Sequence, residues 1–258
     1  YANTTGADNV AVGYGSLQNN TTASNNTAVG KTALYANTTG VSNTAIGRGV
    51  MEQNTTGYNN TASGHIALIS NTTGYDNIAF GAYSLQANTT GFDNTSVGKS
   101  ALYANTTGHS NTAIGRNALA VNTTGLQNTA IGRSALNSST TATGNTAVGR
   151  EAMRDTTTAG ENVAIGFMAG YNNNTNATTT GYGNTLIGTY AHTNAANTQY
   201  ANALGQSIGA SGGYTTLGSG GSDIRASHGS TTWSTVSDER YKKDITTSTA
   251  GLSVINEL

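Results

Sequence analysis

The chain has 258 residues, only 9% of them charged, and its formal net charge at neutral pH is −1. Cysteine and proline are both absent, which excludes disulfides and thiolate metal sites and suits a stacked sheet, because proline removes ladder hydrogen bonds. The near-neutral charge argues against a nucleic-acid partner, and no apolar run approaches the ~20 residues of a membrane span, so we expect no membrane insertion.

A short repeat occupies most of the chain from its beginning. The consensus is N-T-A-V/I-G-x-x-A-L-x-x-N-T-T-G-x-x, a 17-residue unit whose places we number as coil positions 1 to 17. Position 5 is always glycine, position 4 is apolar in nine of ten copies, and position 9 is leucine or methionine until Gly170. A fixed period of this length predicts a solenoid. The asparagines at position 1 are Asn9, Asn26, Asn43, Asn60, Asn77, Asn94, Asn111, Asn128, Asn145 and Asn162.

Within each repeat, N-T-A-V-G predicts one short strand, and the A-L pair at positions 8 and 9 is a candidate second strand. Helix is disfavoured, since glycine inside a helix costs roughly 1 kcal/mol relative to alanine. We expect the position 4 and 9 side chains, such as Ile114 and Leu119, to stack inside, with Arg116 outside. The predicted fold is all-β, a parallel β-roll or β-solenoid over residues 1–192, and stacking at about 4.8 Å per coil gives a rod of roughly 55 Å.

The register changes after the copy that begins at Asn162, because the next matching asparagine is Asn184. This spacing predicts a polar loop inserted at about 172–180. Degenerate repeats are expected over 193–222, followed by a junction over 223–236 and a separate C-terminal segment over 237–258. The chain also starts within a repeat, at Asn3-Thr4-Thr5-Gly6, so we expect it to be a piece of a longer protein.

Several columns of equivalent residues are candidate binding surfaces. Basic residues recur at position 6. They are either solvated residues at a corner of the coil or a surface that contacts an acidic glycan. The residues are Lys31, Arg48, Lys99, Arg116, Arg133 and Arg150. Exposed tyrosines could stack sugars, namely Tyr35, Tyr58, Tyr75, Tyr103, Tyr171 and Tyr182. No cofactor or metal is expected, because His65, His109, His192 and His228 share no ligand spacing and the coils lack regular acidic residues.

The Asn-Thr-Thr triplets at positions 12 to 14 have three alternative interpretations. They form glycosylation sequons at Asn3, Asn37, Asn54, Asn71, Asn88, Asn105 and Asn122. A structural role explains their regularity better. Asparagine tolerates a left-handed backbone, and stacked Asn and Thr side chains can hydrogen-bond to the equivalent residues in the neighbouring coils. A threonine ladder on a solenoid also suggests ice binding, although adjacent threonines should face opposite ways.

The repeats resemble the glycine-punctuated head repeats of trimeric autotransporter adhesins and the related repeats of bacterial and phage fibre proteins. That resemblance implies a homotrimer, intertwined or side by side. The repeat length differs from the commoner adhesin head unit. The likeness therefore concerns architecture more than the shape of one coil.

A second resemblance begins at Ser237-Asp238-Glu239-Arg240-Tyr241-Lys242-Lys243-Asp244-Ile245. This segment is similar to the opening of the self-cleaving intramolecular chaperone domain at the end of phage tail spikes and tail fibres. The resemblance implies cleavage of the Val236–Ser237 bond, with Ser237 as nucleophile, Lys242 as its base, and Asp238 and Arg240 supporting the turn. It covers about twenty residues, and only the start of such a domain is present.

Together these features predict the shaft of a phage tail fibre on a virion surface, which contacts a host-surface polysaccharide or protein receptor. A bacterial trimeric adhesin or other extracellular filament is the alternative, and an ice-binding solenoid is a further one. No enzyme is expected in the repeats, and the one possible activity is self-cleavage at Val236–Ser237.

Overall fold

A computed structural model describes residues 2–171, 179–220 and 222–236. Within these ranges the chain is all-β with no helix, a parallel β-solenoid of about 12 turns built on repeats of ~17 residues. The predicted fold class is therefore confirmed at the level of one chain. The strands are β1 (Val10–Val12), β2 (Thr27–Val29), β3 (Thr44–Ile46), β4 (Thr61–Ser63), β5 (Ile78–Phe80), β6 (Thr95–Val97), β7 (Thr112–Ile114), β8 (Thr129–Ile131), β9 (Thr146–Val148), β10 (Val163–Ile165), β11 (Thr185–Ile187), β12 (His192–Thr193), β13 (Asn202–Gln206), β14 (Gly209–Ala210), β15 (Tyr214–Ser219), β16 (Ser222–Ser227) and β17 (Ser234–Val236).

One long sheet runs through the molecule. Strands β1 to β11, then β13 and β15, pair in parallel in chain order, and each residue pairs with its equivalent in the next coil. Strands β16 and β17 then add antiparallel, so the parallel stack ends in a meander. A small second sheet pairs β12 with β14.

The core of each coil is narrow and consists of positions 3, 8 and 9. In a typical coil these are Ala113, Ala118 and Leu119, all with no exposed surface. Successive side chains of a strand point to opposite faces, so alanine at position 3 points inward and position 4 must point outward. The expectation that Ile114 lies inside is therefore wrong: its side chain is 38% exposed, whereas Leu119 is buried as predicted.

The predicted second strand at positions 8 and 9 is also wrong. Leu119 has φ 50° and Asn117 has φ 58°, so left-handed residues alternate with others through this part of the coil and form turns instead of a strand. Leucine pays a steric penalty in this region, of roughly 1–2 kcal/mol. Burial of its side chain and a hydrogen bond from Leu119 N to Ala135 O, at 3.0 Å, offset that strain.

Two buried columns of asparagine join the coils. At position 1, the Asn111 side chain donates to Gly125 O at 2.9 Å, which closes its own coil, and its Oδ1 accepts from Asn128 N at 3.0 Å. At position 12, Asn105 Nδ2 donates to Asn88 Oδ1 at 2.8 Å. These bonds confirm the predicted stacking of asparagine side chains, but the left-handed residues lie at positions 7, 9 and 17, not at position 12.

The asparagine column continues across the change in register. Asn184 Nδ2 donates to Asn162 Oδ1 at 2.9 Å, and β11 pairs in register with β10. The coil that follows the 22-residue spacing therefore stacks like its predecessors. The predicted loop at about 172–180 lies largely outside the described residues.

Candidate functional surfaces

The outer face of the long sheet carries two parallel columns, threonine at position 2 and an aliphatic or aromatic residue at position 4. Ile114 and Ile131 are paired neighbours in the second column, and both are exposed. The same column continues through most coils as Val12, Ile46, Phe80, Val97, Ile165, Ile187 and Leu204, all exposed. Ser63 interrupts the column in one coil. An apolar column of this length on a water-facing sheet is typical of an interaction surface.

Beyond the strand, after the position 5 glycine, the position 6 side chains form the basic column that the sequence predicts. Lys99, Arg116, Arg133 and Arg150 occupy it in four successive coils, and all four residues are exposed. Arg150 donates to Glu151 Oε1 at 3.0 Å. No salt bridge or side-chain hydrogen bond within the described ranges involves the other three.

A second, aromatic column lies at position 16, on another edge of the coil. The rings of Tyr58, Tyr75, Phe92 and His109 stack almost parallel, with centroids 4.9, 4.9 and 4.4 Å apart. Desolvation in the stack raises the pKa of the Tyr75 hydroxyl, and the nearby Tyr58 and Asp93 add to the rise. The sequence predicts a binding role only for the tyrosines of this column, although all four residues share one offset in the repeat.

This stacking limits what the aromatic column can bind. Each inner ring has both faces covered by its neighbours, so only ring edges face solvent along most of the column. Sugars stack on ring faces, which leaves Tyr75 unsuited to the predicted role, and Phe92 is covered in the same way. Tyr171 is also engaged, since the Arg154 guanidinium lies 4.4 Å from its ring centroid.

In the coils whose position 16 residue is threonine or glycine, the same edge has a groove of about 480 Å³. Its lining includes Thr143, Gly160, Gln127, Glu161 and Tyr182. Tyr182 packs edge to face with Tyr200, at 5.1 Å between centroids. The groove combines one aromatic ring with hydroxyl, amide and carboxylate groups, a mixture that can hold a small polar ring.

A compact ion-pair cluster lies on the coil that precedes the insertion. Glu151, only 7% exposed, binds both Arg150 and Arg154, and Arg154 also pairs with Asp155 at 3.1 Å. The hydrogen bond to Asp155 is the main cause that raises the pKa of Arg154. These four residues neutralise one another, which indicates a structural role in this coil.

The Asn-Thr-Thr triplets are engaged in the fold. From Asn37 to Asn122 these asparagines are fully buried and each Nδ2 donates two hydrogen bonds, as Asn105 does to Asn88 Oδ1 and Gly108 O, whereas Asn3 in the first coil is exposed. Glycosylation of the folded coil would break both. The position 13 hydroxyls also bond within the chain, as Thr106 Oγ1 does to Thr123 O at 3.1 Å, while position 14 is exposed.

The predicted self-cleavage residues Ser237, Asp238, Arg240 and Lys242 lie outside the described residues. Val236, which precedes the predicted scissile bond, is the last residue of strand β17. Trp233, just before this strand, is 52% exposed. Among the described residues, no group of three or more His, Cys, Asp or Glu side chains could hold a metal ion, and no helix has the length and hydropathy to cross a membrane.

Comparisons with protein-family models, with curated proteins and with solved structures found no match.

Proposed function

We propose that this chain is the structural and adhesive shaft of a phage tail fibre, displayed on the virion surface. The observation that carries the proposal is the unbroken register of the long sheet, in which every strand from β1 to β11 pairs with its equivalent in the next coil. With its two asparagine columns, that arrangement favours a stiff rod with long, chemically uniform faces. A bacterial trimeric adhesin remains the alternative, because it would use the same rod.

The proposed assembly is a homotrimer. Each coil buries mainly alanine and one leucine or methionine, so a single stack gains little apolar burial against the cost of ordering seventeen residues. The exposed position 4 column offers further apolar surface along the same sheet. We propose that these columns meet between the three chains, and that the segment after Val236 begins a chaperone that assembles them.

Light scattering tests the assembly, and electron microscopy tests the shape. We expect three chains per particle and straight, narrow rods. The double variant Ile114→Asp, Ile131→Asp should dissociate the trimer, because it places charges in the proposed interface. The matched control, Thr107→Asp with Thr124→Asp, changes two exposed position 14 residues and should remain trimeric.

Either of two results would contradict the proposal. A stable, folded monomer of the unchanged chain would rule out the trimer. Loss of the trimer in both double variants would show that charge itself, and not the position 4 column, governs assembly. A rod that binds no host cell while remaining trimeric would limit the chain to a structural role.

A further inference from the structure

The basic column at position 6 is concentrated in one part of the rod. Residues 94–150 contain Lys99, Arg116, Arg133 and Arg150 but no aspartate or glutamate, although the whole chain has a net charge of −1. Before this stretch, position 6 also carries Lys31 and Arg48, but His65 and Ala82 follow them, and after the stretch comes Phe167. The longest run of cations in successive coils is therefore the one in residues 94–150.

The sheet fixes the spacing of these cations. Val97 pairs with Ile114, Ile114 with Ile131, and Ile131 with Val148, so the residues two places later lie in successive coils about 4.8 Å apart. Like charges held in single file repel one another. Because Lys99, Arg116 and Arg133 have no salt bridge in the described structure, that repulsion is uncompensated within the chain.

Polar and apolar groups flank the column on its two sides. Position 7 supplies Ser100, Asn117 and Ser134, whose side chains can hydrogen-bond to hydroxyl groups. The position 4 aliphatic side chains on the other side, such as Ile114 and Ile131, belong to the proposed interface between chains and are not part of this site. Neither flank has an aromatic side chain in these four coils, and single-stranded nucleic acids rely on aromatic platforms for their bases.

We propose that Lys99, Arg116 and Arg133 form a binding site for a linear acidic polysaccharide with one carboxylate on each sugar, lying along the rod, whereas Arg150 at the end of the column is neutralised by Glu151. An extended sugar unit is comparable in length to one coil, so successive carboxylates can meet successive cations. The planar guanidinium of arginine binds a carboxylate through two parallel hydrogen bonds, which favours this chemistry over a simple attraction of opposite charges. The inference names the ligand class for the proposed adhesive role and rests on it.

The test measures binding of oligogalacturonate to the full chain by calorimetry. Affinity should fall as salt rises, and fully methyl-esterified oligogalacturonate, which is neutral, should not bind. The double variant Arg116→Ser, Arg133→Ser should lose about tenfold in affinity, the scale expected for two exposed charge contacts. Arg116→Lys with Arg133→Lys should lose less, because it keeps the charge.

Lys31→Ser with Arg48→Ser is the matched control, since it removes two cations of the same column outside residues 94–150. Its affinity should stay within about twofold of the unchanged chain. Equal losses in the two double serine variants would overturn the site, as would equal binding of the esterified oligomer. Tighter binding of oligothymidylate than of oligogalacturonate would reassign the column to nucleic acid.

Light scattering on the same samples separates this inference from the proposed fibre. A trimeric rod that does not bind oligogalacturonate would overturn the glycan site and leave the fibre standing. Specific binding by a monomer would support the site and contradict the assembly.

Discussion

Leu119 and Ile114 lie five residues apart in one coil, but in opposite environments. Leu119 is fully buried, whereas Ile114 faces outward from the sheet. We expect Leu119→Asp to cost several kcal/mol, because it buries a charge without a partner, and Arg116→Ser to change stability by less than about 0.5 kcal/mol. Thermal melts followed by circular dichroism check this.

Ile114→Asp provides a second comparison at the same scale. It should leave the coil folded, because the new carboxylate faces water, and act only on association between chains. Equal loss of β-structure in the Ile114 and Leu119 variants would show that both side chains lie inside.

Ser139 interrupts the position 12 asparagine column. Asn122 Oδ1, which would accept from an asparagine in the next coil, has no hydrogen-bond partner, and neither has Ser139 Oγ. Ser139→Asn should restore the bond to Asn122 and a second one to Ala142 O, as Asn20 makes to Ala23 O at 3.0 Å.

The expected gain from Ser139→Asn is about 0.5–1.5 kcal/mol, the usual net value of a hydrogen bond. Chemical denaturation measures it. Ser138→Asn, one residue earlier and outside the column, is the control and should be nearly neutral. A destabilised Ser139→Asn variant would mean that this coil lacks room for the larger side chain.

At the scale of the coil, the two left-handed glycine positions differ in what surrounds them. Gly98, at position 5, has φ 131°, and an added Cβ would lie 2.7 Å from the backbone of Gly115. Gly49, at position 7, has φ 67°, and its added Cβ would meet only side chains, the nearest being Ile66 Cγ2 at 3.0 Å. Other coils place Thr32 or Ser100 at position 7, but none replaces the glycine at position 5.

Gly98→Ala should therefore cost about 3 kcal/mol or more, because strain adds to a backbone clash that propagates between coils. Gly49→Ala should cost no more than about 1–2 kcal/mol, the penalty for the left-handed backbone alone. Urea denaturation compares them, and similar losses would contradict the distinction between the two positions.

The sequence predicts the strand of each coil, because alternation over Thr112, Ala113 and Ile114 is local information. The same alternation implies that Ala113 and Ile114 face opposite ways, so the exposure of Ile114 could have been anticipated. The turn at position 9 could not have been anticipated, since leucine is poorly suited to φ near +50° and adopts it only because burial and hydrogen bonds to the next coil compensate. The burial and these hydrogen bonds form only when the coils stack.

Of the candidate surfaces, the basic column was predictable because one residue type recurs at one offset. The aromatic column was harder to see, because Tyr75, Phe92 and His109 differ in type and share only their position. The groove beside Tyr182 depends on the small residues Thr143 and Gly160 at position 16, where several other coils carry an aromatic ring, and a consensus does not show such exceptions.

At the scale of the whole molecule, the antiparallel strands β16 and β17 close one end of the parallel sheet. An open sheet edge invites pairing with other chains, and here the edge strand is the short β17, which pairs antiparallel with β16. The proposed cleavage point lies immediately after these strands in the chain, since Val236 is the last residue of β17. Cutting there would leave the closing strands attached to the rod.

The proposed chaperone start predicts self-processing at Val236–Ser237 when this segment is expressed as part of a complete chaperone domain. Attack by Ser237 Oγ on the carbonyl of Val236 in its own chain gains from fixed proximity and replaces the amide bond with an ester, while Lys242 accepts the hydroxyl proton and the Ser237 amine is released. Water then hydrolyses the ester and separates the two products. Mass spectrometry should find a product that begins Ser237-Asp238-Glu239. Ser237→Ala should abolish cleavage without preventing trimer formation, and Lys242→Ala should slow it severely. Cleavage that persists in the Ser237 variant, or occurs at another bond, would refute the mechanism and leave the rod unaffected.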